Sequence, residues 1–237
     1  MYKMKNGAVL RNVTQRTAKE VFEKYAIVIA FLALLIVVSI LCSSFLTPSN
    51  LILVLNQTSI NGILAVGITY VLITAGNDIS IGSVVGLSGV ISAMVVKAGA
   101  PLQVGFLCGI LAGALVDVII GILVTKGKLA PYIVTLGFLT IIRGAALLIA
   151  GGRPISSLGD AYGWIGNHNV FGVIPCPVII FLIVVVIGHI ILAQLQIGRY
   201  IYAVGGNSNA AEACGISPNK VKMFVHVFCG TCAGLAG

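Results

Sequence analysis

Residues 26–46 read AIVIAFLALLIVVSILCSSFL, 21 residues without a charged side chain. At 1.5 Å rise per residue, a helix of that length covers about 31 Å, the thickness of a bilayer's hydrocarbon core. The run belongs to a longer one: 53 consecutive residues between Lys24 and Asp78 carry no charge, and a second stretch of 38 separates Asp160 from Arg199. Hydrophobic residues make up 59% of the 237 and charged ones 8%, against roughly 25% charged in a soluble globular domain. An ordinary cytosolic enzyme is thereby excluded, and the fold class is all-α, a polytopic bundle of transmembrane helices. The net charge is +8, but six of the 14 basic side chains fall in the first 24 residues. The rest are scattered, without the basic stripe that nucleic acid requires, so no nucleic-acid partner is expected.

Residues 1–25 form a basic leader and 26–237 the transmembrane domain. The leader contains Glu20 and Glu23 and precedes a full-length apolar run, so it reads as a retained cytoplasmic arm rather than a cleaved signal. Val13, Thr17, Val21 and Tyr25 recur at helical spacing, which fits either an interfacial helix on membrane lipid over 11–25 or a solvated basic arm. Further spans are predicted at 51–74, 79–96, 102–125, 129–150 and 178–195, with a seventh beginning near Val221. Pro48, Pro101, Pro131, Pro175, Pro177 and the Gly151-Gly152 pair punctuate them. With the amino terminus inside, eleven Lys and Arg fall on the inner side and two, Lys97 and Arg153, on the outer, so that orientation is expected. The seventh helix would be too short to cross, and the sequence is expected to be truncated relative to a working protein.

Polar groups inside spans are costly, so each is a functional candidate. Asn56, Gln57, Thr58, Ser59 and Asn61 cluster early in the second span, where they either face a water-filled path for polyhydroxylated solutes or bond between helices. Asp78 and Ser80 lie in Ala75-Gly76-Asn77-Asp78-Ile79-Ser80, which reads as a turn or unwound helix entry with Asp78 or Ser80 as N-cap. Asp117 and Arg143, on successive spans, either neutralise each other or line the conduit. Gly105, Gly109 and Gly113 repeat every four residues and predict close helix packing. The six cysteines read mostly as small hydrophobes, and no metal site is expected from the Cys229/Cys232 spacing. No Walker phosphate loop is present, because Gly127-Lys128 is followed by Leu129. Ser88, in Gly86-Leu87-Ser88-Gly89, with His189 or His226 as base, is the one candidate for an intramembrane serine protease. An ion-coupled secondary transporter using Asp78 and Asp117 is the other alternative.

The segment 196–222 falls on the inner side by the charge count. Asn209 is placed as an N-cap with Glu212 three residues later, Ala210, Ala211 and Ala213 favour helix, Gly215 suits the position after the C-cap, and Pro218 blocks continuation. One short helix with a small-residue face is predicted there, shaped for a groove on a cytoplasmic partner.

Four blocks then resemble the ribose and simple-sugar permease family of bacterial ATP-binding-cassette importers. They are Asn61-Gly62-Ile63-Leu64-Ala65-Val66-Gly67 with the 76–83 turn; Pro131-Tyr132-Ile133-Val134-Thr135-Leu136-Gly137 with Arg143-Gly144; Gly151-Gly152-Arg153-Pro154-Ile155; and 198–215, with Gly198-Arg199-Tyr200 and Gly205-Gly206-Asn207 ahead of Ala210-Ala211. The resemblance implies a permease of vitamin B12-importer-like architecture, incomplete here, in the bacterial cytoplasmic (inner) membrane. It implies a homodimer, an ATPase subunit that carries the ATP-Mg, and an extracytoplasmic sugar-binding protein, with no catalytic residue and no cofactor in this chain. Coupling to the ATPase would run through 207–216, with Asn207, Ala210, Ala211, Glu212 and Gly215 as contacts. Two departures stand out: the usual Gly-Gly-Ile-Asp-Leu-Ser reads Ala75-Gly76-Asn77-Asp78-Ile79-Ser80, and Asp117 stands one turn before the usual Asn position near Ile120.

Overall fold

The computed structural model describes residues 25–156, 158, 162–163, 169–170 and 174–237. The leader reading over 11–25 lies outside the described residues apart from Tyr25. By internal contact the chain divides into two units, 1–53 and 54–237. In the described part of the first, helix α1 (Tyr25–Leu41) is 17 residues long rather than the 21 expected. The shortfall lies in the polar sequence that follows. Thr47 Oγ1 donates to the Ser44 carbonyl at 2.7 Å and Asn50 Nδ2 to the Phe45 carbonyl at 2.8 Å, so side chains take backbone acceptors in a turn that a continuing helix would have used.

The second unit holds most of α2 (Pro48–Ile73), then α3 (Ile81–Lys97), α4 (Leu102–Thr125), α5 (Pro131–Ile149), a two-residue hairpin β1 (Asn169–Val170) and β2 (Ile174–Pro175), α6 (Cys176–Ala193), α7 (Gln196–Gly206), α8 (Ser208–Ala213) and α9 (Pro218–Ala236). The helices α2, α4, α5 and α6 are long and apolar enough to cross a membrane; α1 and α3 are shorter apolar helices. Helices start at prolines where the missing N–H costs nothing: Pro131 and Pro218 each open their helix, and Pro177 is the second residue of α6. The membrane helices thus follow the predicted punctuation. The segment 196–222 departs from it, because two helices form there instead of one.

Helix α9 is the hub. Its buried residues include Val221, Val225, His226, Cys229, Gly230, Cys232, Ala233 and Gly234. Its packing on α4 is the most extensive in the unit, and glycines make it possible. A Cβ on Gly113 would lie 2.7 Å from the Gly234 nitrogen, and one on Gly234 would lie 2.7 Å from the Ile110 Cα. Only hydrogen at these positions lets the two backbones touch, the close approach that drives helix association in lipid. Gly105 and Gly109 do the same against Ser92 and Ser88 of α3, so the four-residue glycine repeat packs as predicted.

The α2–α3 turn closes on an alanine. Ala75 has φ +56°, and the amides of Ala75 and Gly76 return to the carbonyls of Leu72 (3.0 Å) and Val71 (3.0 Å), the paired bonds of a left-handed helix stop. A Cβ in that conformation costs about 1–2 kcal/mol, and glycine removes the clash at the cost of greater freedom in the unfolded chain. Ala75→Gly is expected to raise stability by about 0.5–1 kcal/mol, read as a higher midpoint of thermal unfolding in detergent; Gly82→Ala, where nothing lies within 4 Å of the new Cβ, should leave the midpoint near the parent's.

Candidate functional site

At the end of the bundle that carries Lys126, Lys128, Arg199, Lys220 and Lys222, α7 and α8 form a ledge. Ile201 and Val204 of α7 are buried, as is Gly198, and a Cβ on Gly205 would run into the Ile73 carbonyl oxygen at the end of α2. The signal for α7 was present in the spacing of Ile197, Ile201 and Val204, one apolar stripe at helical period. Asn207 ends α7 and caps α8: its Oδ1 accepts from the amides of Asn209 and Ala210, each at 3.0 Å. The N-cap is therefore Asn207 and not Asn209, and Glu212 lies beyond the third helical position where a capping box needs it. The stop was read correctly. Gly215 has φ +83°, its amide bonds the Glu212 carbonyl at 2.9 Å, and the Ile216 amide bonds that of Ala211 at 3.0 Å, a complete Schellman closure.

Ala211 does not lie on the outer face. It is buried with Tyr70, Val71, Ile201, Val204, Val221, Val225 and Cys229 in one apolar core, so the expectation that it touches a partner is corrected: its methyl anchors α8 to α2, α7 and α9. Asn207, Asn209, Ala210, Glu212, Ala213 and Gly215 are exposed and constitute the outer surface of the ledge. Tyr70 stiffens the core beneath, donating to the Gly188 carbonyl at 2.6 Å and packing on Phe228 with ring centroids 4.3 Å apart and the planes tilted by 38°.

A second constellation lies deeper in the bundle. Asp78 Oδ1 accepts from the Ser80 amide (2.8 Å) and hydroxyl (2.5 Å), a side-chain turn that leads into α3, whose N-cap position Ser80 occupies without a side-chain cap bond of its own. Asp78 and Ser80 are both buried, and Asp117 of α4 is 1% exposed. Oxygens of the two carboxylates and the Cys229 Sγ all lie within 4.8 Å of one another. Asp117 and Arg143 do not pair: Asp117 finds no hydrogen-bond partner on either oxygen, and Arg143 is exposed on α5. Cys229, read as a mere packing residue, is the member that sequence reasoning missed. Its signal is weak, since only the α4–α9 glycine crossing brings it to the acids.

The third feature is a groove between α3 and α5. One cavity of about 620 Å³ is lined by Gly86, Gly89, Arg143, Arg153 and Tyr162 among others, and a second of about 380 Å³ continues it past Gly82, Ser83 and Leu139, again with Arg143. A Cβ on Gly82, Gly86 or Gly144 would meet nothing within 4 Å, so these glycines are not spent on packing within the described chain. Asn56, Gln57 and Asn61 are not gathered into this groove; Gln57 and Asn61, one turn apart, are exposed along α2, and Asn56 is half-buried. Ser88 is buried and donates to the Val85 carbonyl of its own helix at 2.9 Å, while His189 is exposed on α6, which gives no support to a serine nucleophile with that base.

The cap makes one outcome checkable. Asn207→Ala should destabilise α8 by about 1 kcal/mol, seen as faster hydrogen exchange at the amides of Asn209 and Ala210 with no change in the α4 amides.

Residues 50–237 match the family described as branched-chain amino acid transport system / permease component. The chain is similar to the ribose import permease protein of Escherichia coli strain K12, 38% identical over 213 residues that cover 88% of this chain and 66% of that protein. Against the ribose import permease protein of Haemophilus influenzae the identity is 40% over the same coverage. Against the D-allose transport system permease protein of Escherichia coli K12 it is 34% over 221 residues, 91% of this chain and 67% of that protein. The chain thus spans about two thirds of the length of the curated relatives it matches. No solved structure matches.

Proposed function

The chain belongs to the branched-chain amino acid transport system / permease component family, and on that footing we propose that it is the membrane-spanning permease subunit of an importer for a ribose-like monosaccharide, driven by ATP hydrolysis on a separate subunit. The relatives named for ribose and D-allose support the substrate class. The observation that carries the reading is the α8 ledge. A six-residue helix fixed at both ends, small-faced outside and bound through Ala211 into the core of α2, α7 and α9, transmits a push on its outer face to the helices that carry the bundle. The ATPase docks on Asn209, Ala210, Glu212 and Ala213, with Asn207 and Gly215 holding the helix in shape and Ala211 relaying displacement rather than touching the partner.

The solute path runs along the α3–α5 groove, where Arg143 supplies hydrogen-bond donors and Ser83, whose hydroxyl proton goes to the Leu139 carbonyl, supplies an acceptor beside exposed glycines, closed by a second copy of the permease. Gln57 and Asn61 add neutral donors and acceptors on α2. An extracytoplasmic binding protein delivers the sugar to the opposite end from α8, and the chain lies in the bacterial cytoplasmic membrane with its amino terminus and α8 inside. ATP-Mg stays on the partner, and this chain performs no chemistry of its own.

Two outcomes test these statements. In cells that take up the sugar through this transporter, Ala210→Trp should leave permease abundance unchanged and cut uptake at least tenfold while the partner's ATP hydrolysis persists; undiminished uptake by Ala210→Trp refutes docking at α8. Cys214, exposed just past α8, should resist a membrane-impermeant maleimide in intact cells of a strain carrying Cys42→Ser, Cys108→Ser and Cys176→Ser and react once the membrane is opened. Labelling in intact cells would reverse the orientation and end the import reading.

A further inference from the structure

We propose that Asp78, Asp117 and Cys229 form a binding site for one divalent cation of the zinc type, buried between α4, α9 and the α2–α3 turn. Their ligand atoms lie within 4.8 Å of one another and all three residues are buried. Zinc bonds oxygen and sulfur at about 2.0–2.3 Å, so small rotamer changes bring the three atoms onto a common ion.

The independent observation is the state of the acceptors. Both oxygens of Asp117, which is 1% exposed, lack a hydrogen-bond partner, as does Oδ2 of Asp78, at 3%. His226, one turn before Cys229 and 1% exposed, has an unpartnered Nδ1 and lies within electrostatic reach of Asp78. Burying a carboxylate without compensation costs several kcal/mol even after the surroundings relax, and this site leaves Asp117 bare on both oxygens and Asp78 on one, its Oδ1 being held by Ser80. A single shared proton bonds two of the three unpartnered oxygens and leaves one bare; a dication engages all three and offsets two of the three negative charges that the two carboxylates and the Cys229 thiolate bring. Cys229 biases the choice of ion, because a soft sulfur beside carboxylate oxygens suits zinc over magnesium, which demands an all-oxygen octahedron and retains water. Cys229 binds as the thiolate, its proton leaving to bulk water.

The fold also offers a route and a consequence. Asn77, next to Asp78, is exposed on the α2–α3 turn, so the site lies one residue from that end of the bundle. Cys229 belongs to the core that holds Ala211, and an ion there ties α4, α9 and the turn to the base of α8. The site stands independently of the transport reading, since it needs only this chain.

The test uses the purified chain in detergent, stripped with EDTA and returned to zinc or magnesium. One equivalent of zinc should survive desalting and raise the unfolding midpoint, magnesium should do neither, and Asp117→Asn and Cys229→Ser should each weaken zinc binding at least tenfold. Cobalt(II) should give a sulfur-to-metal absorption band that Cys229→Ser abolishes, a signature that a merely structural cysteine would not produce. Absence of retained zinc, absence of that band, or zinc held equally by both variants overturns the proposal. A wild-type chain indifferent to zinc whose Asp117→Asn variant is more heat-stable overturns it too, and assigns the pair a shared proton instead.

Discussion

The contact on which the rest depends is the glycine crossing of α4 and α9. Water is absent from the bilayer core, so helices there gain little from hiding apolar surface and associate through close packing. Gly113, Gly230 and Gly234 give that packing its depth: a Cβ on Gly230 would stand 2.5 Å from the Asp117 Cβ, and one on Gly234 would stand 2.8 Å from the Gly109 carbonyl oxygen. The same absence of a side chain that lets α9 in also seats Asp117 against it. Packing and charge placement are one decision here, and Asp117 is buried because its neighbour across the crossing is glycine.

From α9 the constraint spreads in two directions. Toward the basic end, Val221, Val225 and Cys229 carry the core that includes Tyr70 of α2, Ile201 and Val204 of α7 and Ala211 of α8. Toward the other, Ala233 joins Val84, Leu87 and Ile142 of α3 and α5, and Cys232 joins Ile63 and Val184 of α2 and α6. A six-residue helix has too few internal hydrogen bonds to persist alone. It persists because its caps satisfy both ends and one methyl inserts into a core already fixed by longer helices, and so it is small, rigid and mechanically joined to the bundle.

Much of this was legible in the residues, for reasons that differ by feature. Span positions follow from hydropathy and proline punctuation, which act locally, and most helix ends fall within a few residues of the expected ones. The α1 end was overrun because Phe45 and Leu46 carry the apolar run past Ser43 and Ser44, where the backbone already turns and the Thr47 side chain takes the Ser44 carbonyl. The Gly215 stop was readable because a left-handed residue is a local demand that glycine meets; Asn207 was missed as cap because Asn209, with Glu212 after it, satisfies the same pattern two residues later. Ala211 was misplaced because alanine suits an exposed helix face and a tight core equally. The Asp78–Asp117–Cys229 cluster joins residues 151 positions apart in sequence at its extremes, and no local pattern encodes that meeting.

Where the charges end up separates two kinds of polar residue that look alike in sequence. Asp117 and Arg143 are both single ionisable groups in apolar helices, and pairing them is the economical guess. The structure instead buries the acid among other acceptors and leaves the guanidinium exposed along a smooth groove lined by Gly82 and Gly86. An arginine at the centre of a membrane helix costs about 2.5–3.5 kcal/mol on insertion scales when it faces lipid. A surface that presents it beside glycines left free by the internal packing is therefore one that meets water or protein in the membrane. The distinction rests on the neighbours: where glycines are consumed by a helix crossing the charge is trapped, and where they are left bare the charge stays exposed.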